Sequence, residues 1–253
     1  MKLPLLAAVA FTATALVARA DYSYRESFSE THPFNATGEL TLANANGTVV
    51  INTWDRAEVK IEGEKRAQTD EELKLIGFSV ETAPAAVTIK TNFPKRPGSW
   101  FGGQTIRAEV RLTVTVPATA KLRAIDAVNG NLTIDGVRGP VTARNVNGGV
   151  IAKGLGADAL LETVNGSIRA DFAAVAPDQK ISARTVNGST TLRFPSNASL
   201  AVRARTVNGS ISCDFPIRLD GGKSRHSLSG TIGEGAASLK TETVNGSIHV
   251  ASL

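Results

Sequence analysis

The 253-residue sequence has one cysteine, Cys213, and three histidines, His32, His226 and His249, far apart along the chain. A single thiol excludes a disulfide framework and any cysteine-based zinc or iron–sulfur site. The scattered histidines leave little for an imidazole-ligated metal, and no cofactor is expected. Aromatic residues make up only 5% of the chain. No apolar run approaches the roughly 20 residues that a spanning helix needs. Helix-like periodicity is also scarce, whereas glycine is plentiful at 23 residues, pointing to many turns.

The longest apolar stretch lies at the start. Lys2 is followed by apolar residues from Leu3 to Val17, and Ala18-Arg19-Ala20 then precedes Asp21. A basic opening, a short apolar core and a small-x-small exit form a secretory signal peptide. Cleavage after Ala20 leaves residues 21–253 with no transmembrane segment, exported to the periplasm, cell surface or medium. Without Lys2 and Arg19 the formal charge falls from +5 to +3, too mild a bias to suggest nucleic acid or an anionic membrane as partner.

A repeat dominates what remains. Val-Asn-Gly occurs with its turn pairs at Asn129-Gly130, Asn147-Gly148, Asn165-Gly166, Asn187-Gly188, Asn208-Gly209 and Asn245-Gly246, at Asn-to-Asn spacings of 18, 18, 22, 21 and 37. Leu228-Ser229-Gly230 divides the last gap and reads as a further copy with Ser229 in place of Asn. Asn46-Gly47, before Val49-Val50-Ile51, reads as an earlier degenerate copy. Apolar residues recur three and five positions past the Asn (Leu132 and Ile134, Val150 and Ala152, Ile168 and Ala170), with mostly polar residues between. This is the period-two pattern of strands with one buried face.

Two topologies fit. Each Asn-Gly could be a two-residue hairpin turn in an antiparallel meander or sandwich. Alternatively, each unit is one coil of a parallel β-solenoid, with equivalent residues stacked. The Val before each Asn and the aliphatic residue three past it would face opposite ways across a hairpin. Both can point inward around an Asn-Gly corner, which favours the solenoid. In that reading the two residues before this Val, charged and then often Thr, face outward. Charge favours the same answer. Six past the Asn, consecutive units carry Asp135, Lys153, Asp171, Arg193 and Asp214; three before it, Asp126, Arg144, Glu162 and Arg184 also alternate in sign before Arg205 breaks the series. Alternation is useful only if successive units are spatial neighbours about 4.8 Å apart. The expected fold is therefore all-β: a single-stranded parallel β-solenoid over 121–253, preceded by a β-rich part over 21–120 that caps it or forms early coils. Strands are expected at Glu39–Ala43, Thr48–Thr53, Ala57–Glu62, Gly77–Glu81, Val87–Thr91 and Thr105–Val116, with a short helix starting near Thr69.

Residues 93–103 are the most distinctive departure from the repeat. Phe93, Lys95, Arg96, Trp100 and Phe101, set among prolines and glycines, suggest a contact loop for an envelope protein or glycan. The competing reading is that Trp100 and Phe101 fold onto the core. A second loop, Asp220–Ser227, carries Lys223, Arg225 and His226 and reads as a solvated basic loop.

Chemistry is sparse. Asp135, Asp171 and Asp214 share one coil offset, but a cation lies between each pair, so they read as a structural ladder rather than a catalytic pair. Cys213 occupies a core position, Ser227-Leu228-Ser229-Gly230 lacks the leading glycine of a nucleophile elbow, and Gly154-Leu155-Gly156 lacks the rest of a nucleotide-binding turn.

The unit Thr-Val-Asn-Gly-Ser-Ile, the segment Asn46-Gly47-Thr48-Val49-Val50-Ile51-Asn52-Thr53-Trp54-Asp55 and the strand Leu112-Thr113-Val114-Thr115-Val116-Pro117 together resemble the bacterial "putative adhesin" family of exported β-strand-repeat domains of unknown function. The resemblance implies an exported β-solenoid and brings no catalytic residues with it. The expected function is a non-enzymatic envelope binding or scaffold module. The alternative is a carbohydrate-active β-helix enzyme working through a carboxylate near Asp171 or Asp214.

Overall fold

The computed structural model describes residues 22–93, 107–220 and 224–253. The expected leader Met1–Ala20 and Lys95, Arg96, Trp100, Phe101 and Lys223 lie outside these residues.

The first part of the chain forms β1 (Tyr24–Pro33), β2 (Glu39–Asn46), β3 (Val49–Trp54), β4 (Glu58–Ala67), the helix α1 (Asp70–Leu75), β5 (Gly77–Ala83), β6 (Ala86–Asn92) and β7 (Ala108–Pro117). Strands then come in pairs split by Asn-Gly: β8 (Lys121–Asn129) and β9 (Leu132–Asp135), β10 (Val141–Asn147) and β11 (Val150–Leu155), β12 (Ala159–Asn165) and β13 (Ile168–Phe172), and β14 (Lys180–Asn187) and β15 (Thr190–Phe194). The last elements are β16 (Leu200–Asn208), β17 (Ile211–Cys213), β18 (Arg218–Leu219), β19 (Ser227–Ile232), β20 (Ala237–Asn245) and β21 (Ile248–Ser252).

These strands build two long mixed sheets. A ten-stranded sheet runs β1-β4-β7-β3-β9-β11-β13-β15-β21-β17, and an eleven-stranded sheet runs β18-β19-β16-β20-β14-β12-β10-β8-β2-β6-β5. The strand before each Asn-Gly lies in the second sheet and the strand after it in the first. Each step therefore carries the chain between sheets, and the two strands flanking it do not pair with each other. Through the repeats the pairing is parallel and in register: Asp135 is opposite Lys153, and Asn147 is opposite Asn165. The inward side chains of both sheets merge into one buried cluster, in which Phe172 and Phe194 stack at 4.9 Å.

Helix α1 starts where expected. Thr69 caps it, its hydroxyl accepting from the Glu72 amide at 3.1 Å, with Asp70, Glu71 and Glu72 in the first turn. Strand β1 has no counterpart among the expected strands. Its sequence YRESFSETHP shows no apolar alternation, because it is an edge strand paired with β4 alone and almost wholly exposed.

Three expectations about the repeats are corrected. First, the valines before Asn point outward: Val128, Val146, Val164, Val186, Val207 and Val244 are 37–59% exposed. The preceding position, expected outside, is buried at Thr163, Thr185, Thr206 and Thr243. Period two persists up to the Asn because the Thr hydroxyls have partners inside. Second, Leu228-Ser229-Gly230 is not a seventh step. It lies within β19, which runs antiparallel to β16. Third, rungs do not follow chain order at the far end. β14 pairs with β20, and β20 with β16, so the β20–β21 rung sits between those of β14–β15 and β16–β17. The connection Gly233–Ala236 passes the start of β16 and is pinned there, the Ser199 hydroxyl accepting from the amides of Glu234 and Ala236 at 3.1 and 3.0 Å.

Spatial order alters the charge ladders. Three before the Asn, the series becomes Asp126, Arg144, Glu162, Arg184, Glu242 and Arg205, alternating in sign throughout. Six past the Asn, Ala251 rather than Asp214 stands opposite Arg193, so the expected five-rung alternation ends there.

Candidate functional site

The most regular surface is the strip formed by the Asn-Gly steps. Seven asparagine side chains stand in one row, each Nδ2 donating to the Oδ1 of the next. The distances are 2.7 Å for Asn129 to Asn46, 2.9 Å for Asn147 to Asn129 and for Asn165 to Asn147, and 2.8 Å for Asn187 to Asn165, Asn245 to Asn187 and Asn208 to Asn245. All six bonds point the same way, so each amide polarises the next. Glycine is needed beside them for space. Gly148 has φ +149, and a Cβ there would collide with the carbonyl oxygen of Gly130 on the adjoining rung.

Beneath the strip, the inward Thr two residues before each Asn completes the local hydrogen bonding. Thr163 donates to the Gly148 carbonyl at 3.0 Å, Thr185 to Gly166 at 2.8 Å, Thr206 to Gly246 at 2.9 Å and Thr243 to Gly188 at 3.0 Å. Asn145 does the same for Gly130 at 2.8 Å, whereas Asn44 donates to the Gly47 carbonyl of its own step at 3.1 Å. A recurrent Thr before Val-Asn-Gly is thus a bracket for the neighbouring rung. Its two-residue offset from the Asn was visible in the sequence, but not the direction it faces.

Outside the strip, the second sheet displays the row of exposed valines and then the alternating charges. Arg144 reaches Glu162 at 2.9 Å, Arg184 lies 3.7 Å from Glu162, and Arg184 reaches Glu242 at 2.9 Å. On the first sheet, Arg193 Nε donates to Asp171 at 2.6 Å and His249 lies 2.9 Å from Asp214. Asp135, Asp171 and Asp214 therefore do not converge. Cys213 is half-buried against the core. Among the described residues, no three of His, Cys, Asp and Glu are grouped to hold a metal ion, and no helix is long and apolar enough to cross a membrane.

Of the expected contact loop, Phe93 alone is described, and it packs half-buried against the core. β6 pairs with β2 in one sheet and β7 with β3 in the other, so this pair of strands flanks residues 93–107 as other pairs flank an Asn-Gly step. Asn44 Nδ2 donates to the Val110 carbonyl at 2.9 Å, tying this rung to the next.

A concave region of about 410 Å3 lies on the outer face of the second sheet, lined by Arg203, Arg205, Ser227, Ser229, Lys240 and Glu242 together with the buried Ala204 and Leu228. The sequence hid it, because β19 falls beside β16 only through the out-of-order rung.

Residues 125–251 match the family described as Toastrack DUF4097. No curated protein matches the sequence. Among solved structures, a "putative cell adhesion protein" from Clostridium sporogenes is 11% identical, with 90% of this chain and 100% of that one covered at a TM-score of 0.50. A "putative adhesin" from Bacteroides fragilis is 11% identical, covering 90% and 97% at 0.36. A "putative lipid binding protein" from Parabacteroides distasonis is 13% identical, covering 90% and 96% at 0.28. At these identities the first likeness concerns the fold alone.

Proposed function

The chain belongs to the Toastrack DUF4097 family, and on that premise we propose that it is an exported, non-enzymatic parallel β-solenoid with Asn-Gly corners, serving as a binding or scaffold module of the cell envelope. In this reading residues 1–20 are the export signal, residues 21–120 supply capping and early coils, and residues 121–253 are the repeating rod. The observation that carries it is the unbroken row of seven hydrogen-bonded asparagines. Such a row holds the rungs at constant spacing and makes the outer faces a rigid display surface. Rigidity of that kind suits recognition, because little conformational entropy is lost when a partner docks.

The carbohydrate-active alternative would use Asp171 or Asp214. Both are engaged by a basic partner, and neither lies in a cleft with a second carboxylate. General acid–base cleavage of a glycoside needs two carboxyl groups flanking one bond. The loop at 93–103 is the proposed contact. Replacing both Trp100 and Phe101 with Ala is expected to abolish capture of an envelope component by the immobilised residues 21–253 while leaving the unfolding temperature unchanged. New reducing ends released from acidic polysaccharides by the purified protein would overturn the non-enzymatic reading.

A further inference from the structure

Three residues before each Asn, cations and carboxylates alternate across the second sheet, but two residues earlier on β16 and β20 a cation meets a cation. Arg203 on β16 stands directly opposite Lys240 on β20, and Arg205 follows two residues along the same strand. Glu242 is the one carboxylate lining this region, and its oxygens are already engaged, by Lys240 at 3.1 Å and Arg184 at 2.9 Å. Among the described residues, neither Arg203 nor Arg205 has an acidic group within ion-pair distance. On the other side β19 offers hydroxyls, not carboxylates: Ser229 faces Arg203 and Ser227 faces Arg205. Like charges on adjacent strands are unfavourable. Here they sit together at the rim of a hollow of about 410 Å3.

We propose that this hollow binds the carboxylate groups of an anionic polysaccharide. Neighbouring strands place the Arg203 and Lys240 stems about 4.8 Å apart, and two residues along the strand place Arg205 about 6.7 Å from Arg203. Two guanidinium forks at that spacing each suit a carboxylate, which they take in bidentate fashion. Ser227 and Ser229 supply neutral donors and acceptors suited to sugar hydroxyls. The hollow lies on the outer face of the sheet, with Arg203, Arg205, Ser229 and Lys240 exposed, which suits a chain laid across it. The lining residues include no aromatic ring, so base stacking has no platform and single-stranded nucleic acid is disfavoured. β16 is paired on both edges, with β19 and β20, so it offers no free edge to which an acidic peptide could add as a strand. The site is built from β16, β19 and β20 and does not depend on the role proposed for residues 93–103.

The test titrates residues 21–253 with polygalacturonate, with dextran as the neutral polymer and oligoglutamate as the acidic peptide. Polygalacturonate is expected to bind with an affinity that falls as salt rises. The double variant Arg203→Gln/Arg205→Gln should weaken it about tenfold or more, since two charge-assisted contacts are lost. Arg169→Gln, an equal charge change per site on the exposed face of the other sheet, should leave it within about twofold. Phenylglyoxal labelling of the unmutated protein supplies a readout that needs no variant: the polymer should protect Arg203 and Arg205 and not Arg169. No binding, equal loss with Arg169→Gln, or no protection would overturn the assignment. Tighter binding of oligoglutamate would overturn it in favour of an acidic peptide, and equal binding of dextran would remove the role of charge. Loss of binding on replacing Trp100 and Phe101 alone would move the contact to the other loop.

Discussion

Four buried threonines bond to the carbonyl of a neighbouring rung, while two others bond to nothing, so one substitution should act with opposite signs in a single molecule. Thr190 and Thr241 are fully buried, and their hydroxyls have no hydrogen-bond partner. Equivalent positions on other rungs hold Leu132, Val150 and Ile168, or Ile125, Ala143 and Leu161, all buried and apolar. A desolvated, unpaired hydroxyl costs on the order of 1–3 kcal/mol, and valine offers the same shape without it. Thr241→Val should therefore stabilise the protein by about 1 kcal/mol, and Thr190→Val by a similar amount. Thr185 is equally buried, but donates to the Gly166 carbonyl at 2.8 Å. Thr185→Val strands that oxygen and should destabilise by about 1–2 kcal/mol. Urea unfolding of the three variants against the parent reads the difference directly: two midpoints move up and one moves down at unchanged slope. Midpoints that fall for Thr241→Val, or shifts of the same sign for Thr185→Val and Thr241→Val, would refute this assignment of the hydroxyls.

Gly166→Ala should destabilise by about 1–3 kcal/mol or more, because its Cβ would press into the Gly148 carbonyl, a backbone atom that cannot swing aside; circular dichroism melts measure it, and a neutral result would mean that the rungs are further apart. Lys240, donating to the Glu242 carboxylate, with Arg184 donating to its other side, holds that carboxyl below the usual glutamate range. Its contribution is complete above pH about 4.3 and is lost as pH falls through the lower folded-state value. Glu242→Gln should therefore remove stability at neutral pH and flatten the acid limb of a stability–pH profile, and an unchanged profile would refute the pairing. Ser199→Ala removes the acceptor for two loop amides and should raise hydrogen exchange at Glu234 and Ala236 and along β20 more than in β10, as read by mass spectrometry.

Much of this architecture could be read from residue order because it is local. Aliphatic residues three and five past each Asn marked the strands, and Thr69 with the acidic residues after it marked the helix start. Facing was misjudged at Val146 and its equivalents. A β-branched residue suits a strand whether buried or not, and only the partner of the preceding Thr shows which side is inside. The placement of β20 between β14 and β16 was hidden for a deeper reason. All rungs carry nearly the same sequence, so any rung fits beside any other, and nothing within one unit encodes its neighbour. One trace was present: Arg184 and Arg205 would have been like-charged neighbours in chain order, and placing Glu242 between them removes the conflict. The cationic hollow depends on that same permutation and on the antiparallel return of β19, and so was beyond reach.

The displaced β20–β21 rung also governs how the molecule can be assembled. From β8 to β15, every newly made strand finds its mate already waiting, and the stack can lengthen as the polypeptide appears. β16 arrives too early. Both its mates, β19 and β20, are made later, so β14 and β16 each keep a bare edge until residues 237–252 slip between them, and bare edges recruit foreign strands. A premature stop between Cys213 and Ala237 would therefore leave β14 and β16 with no slat to join them, two sticky margins on either side of a gap.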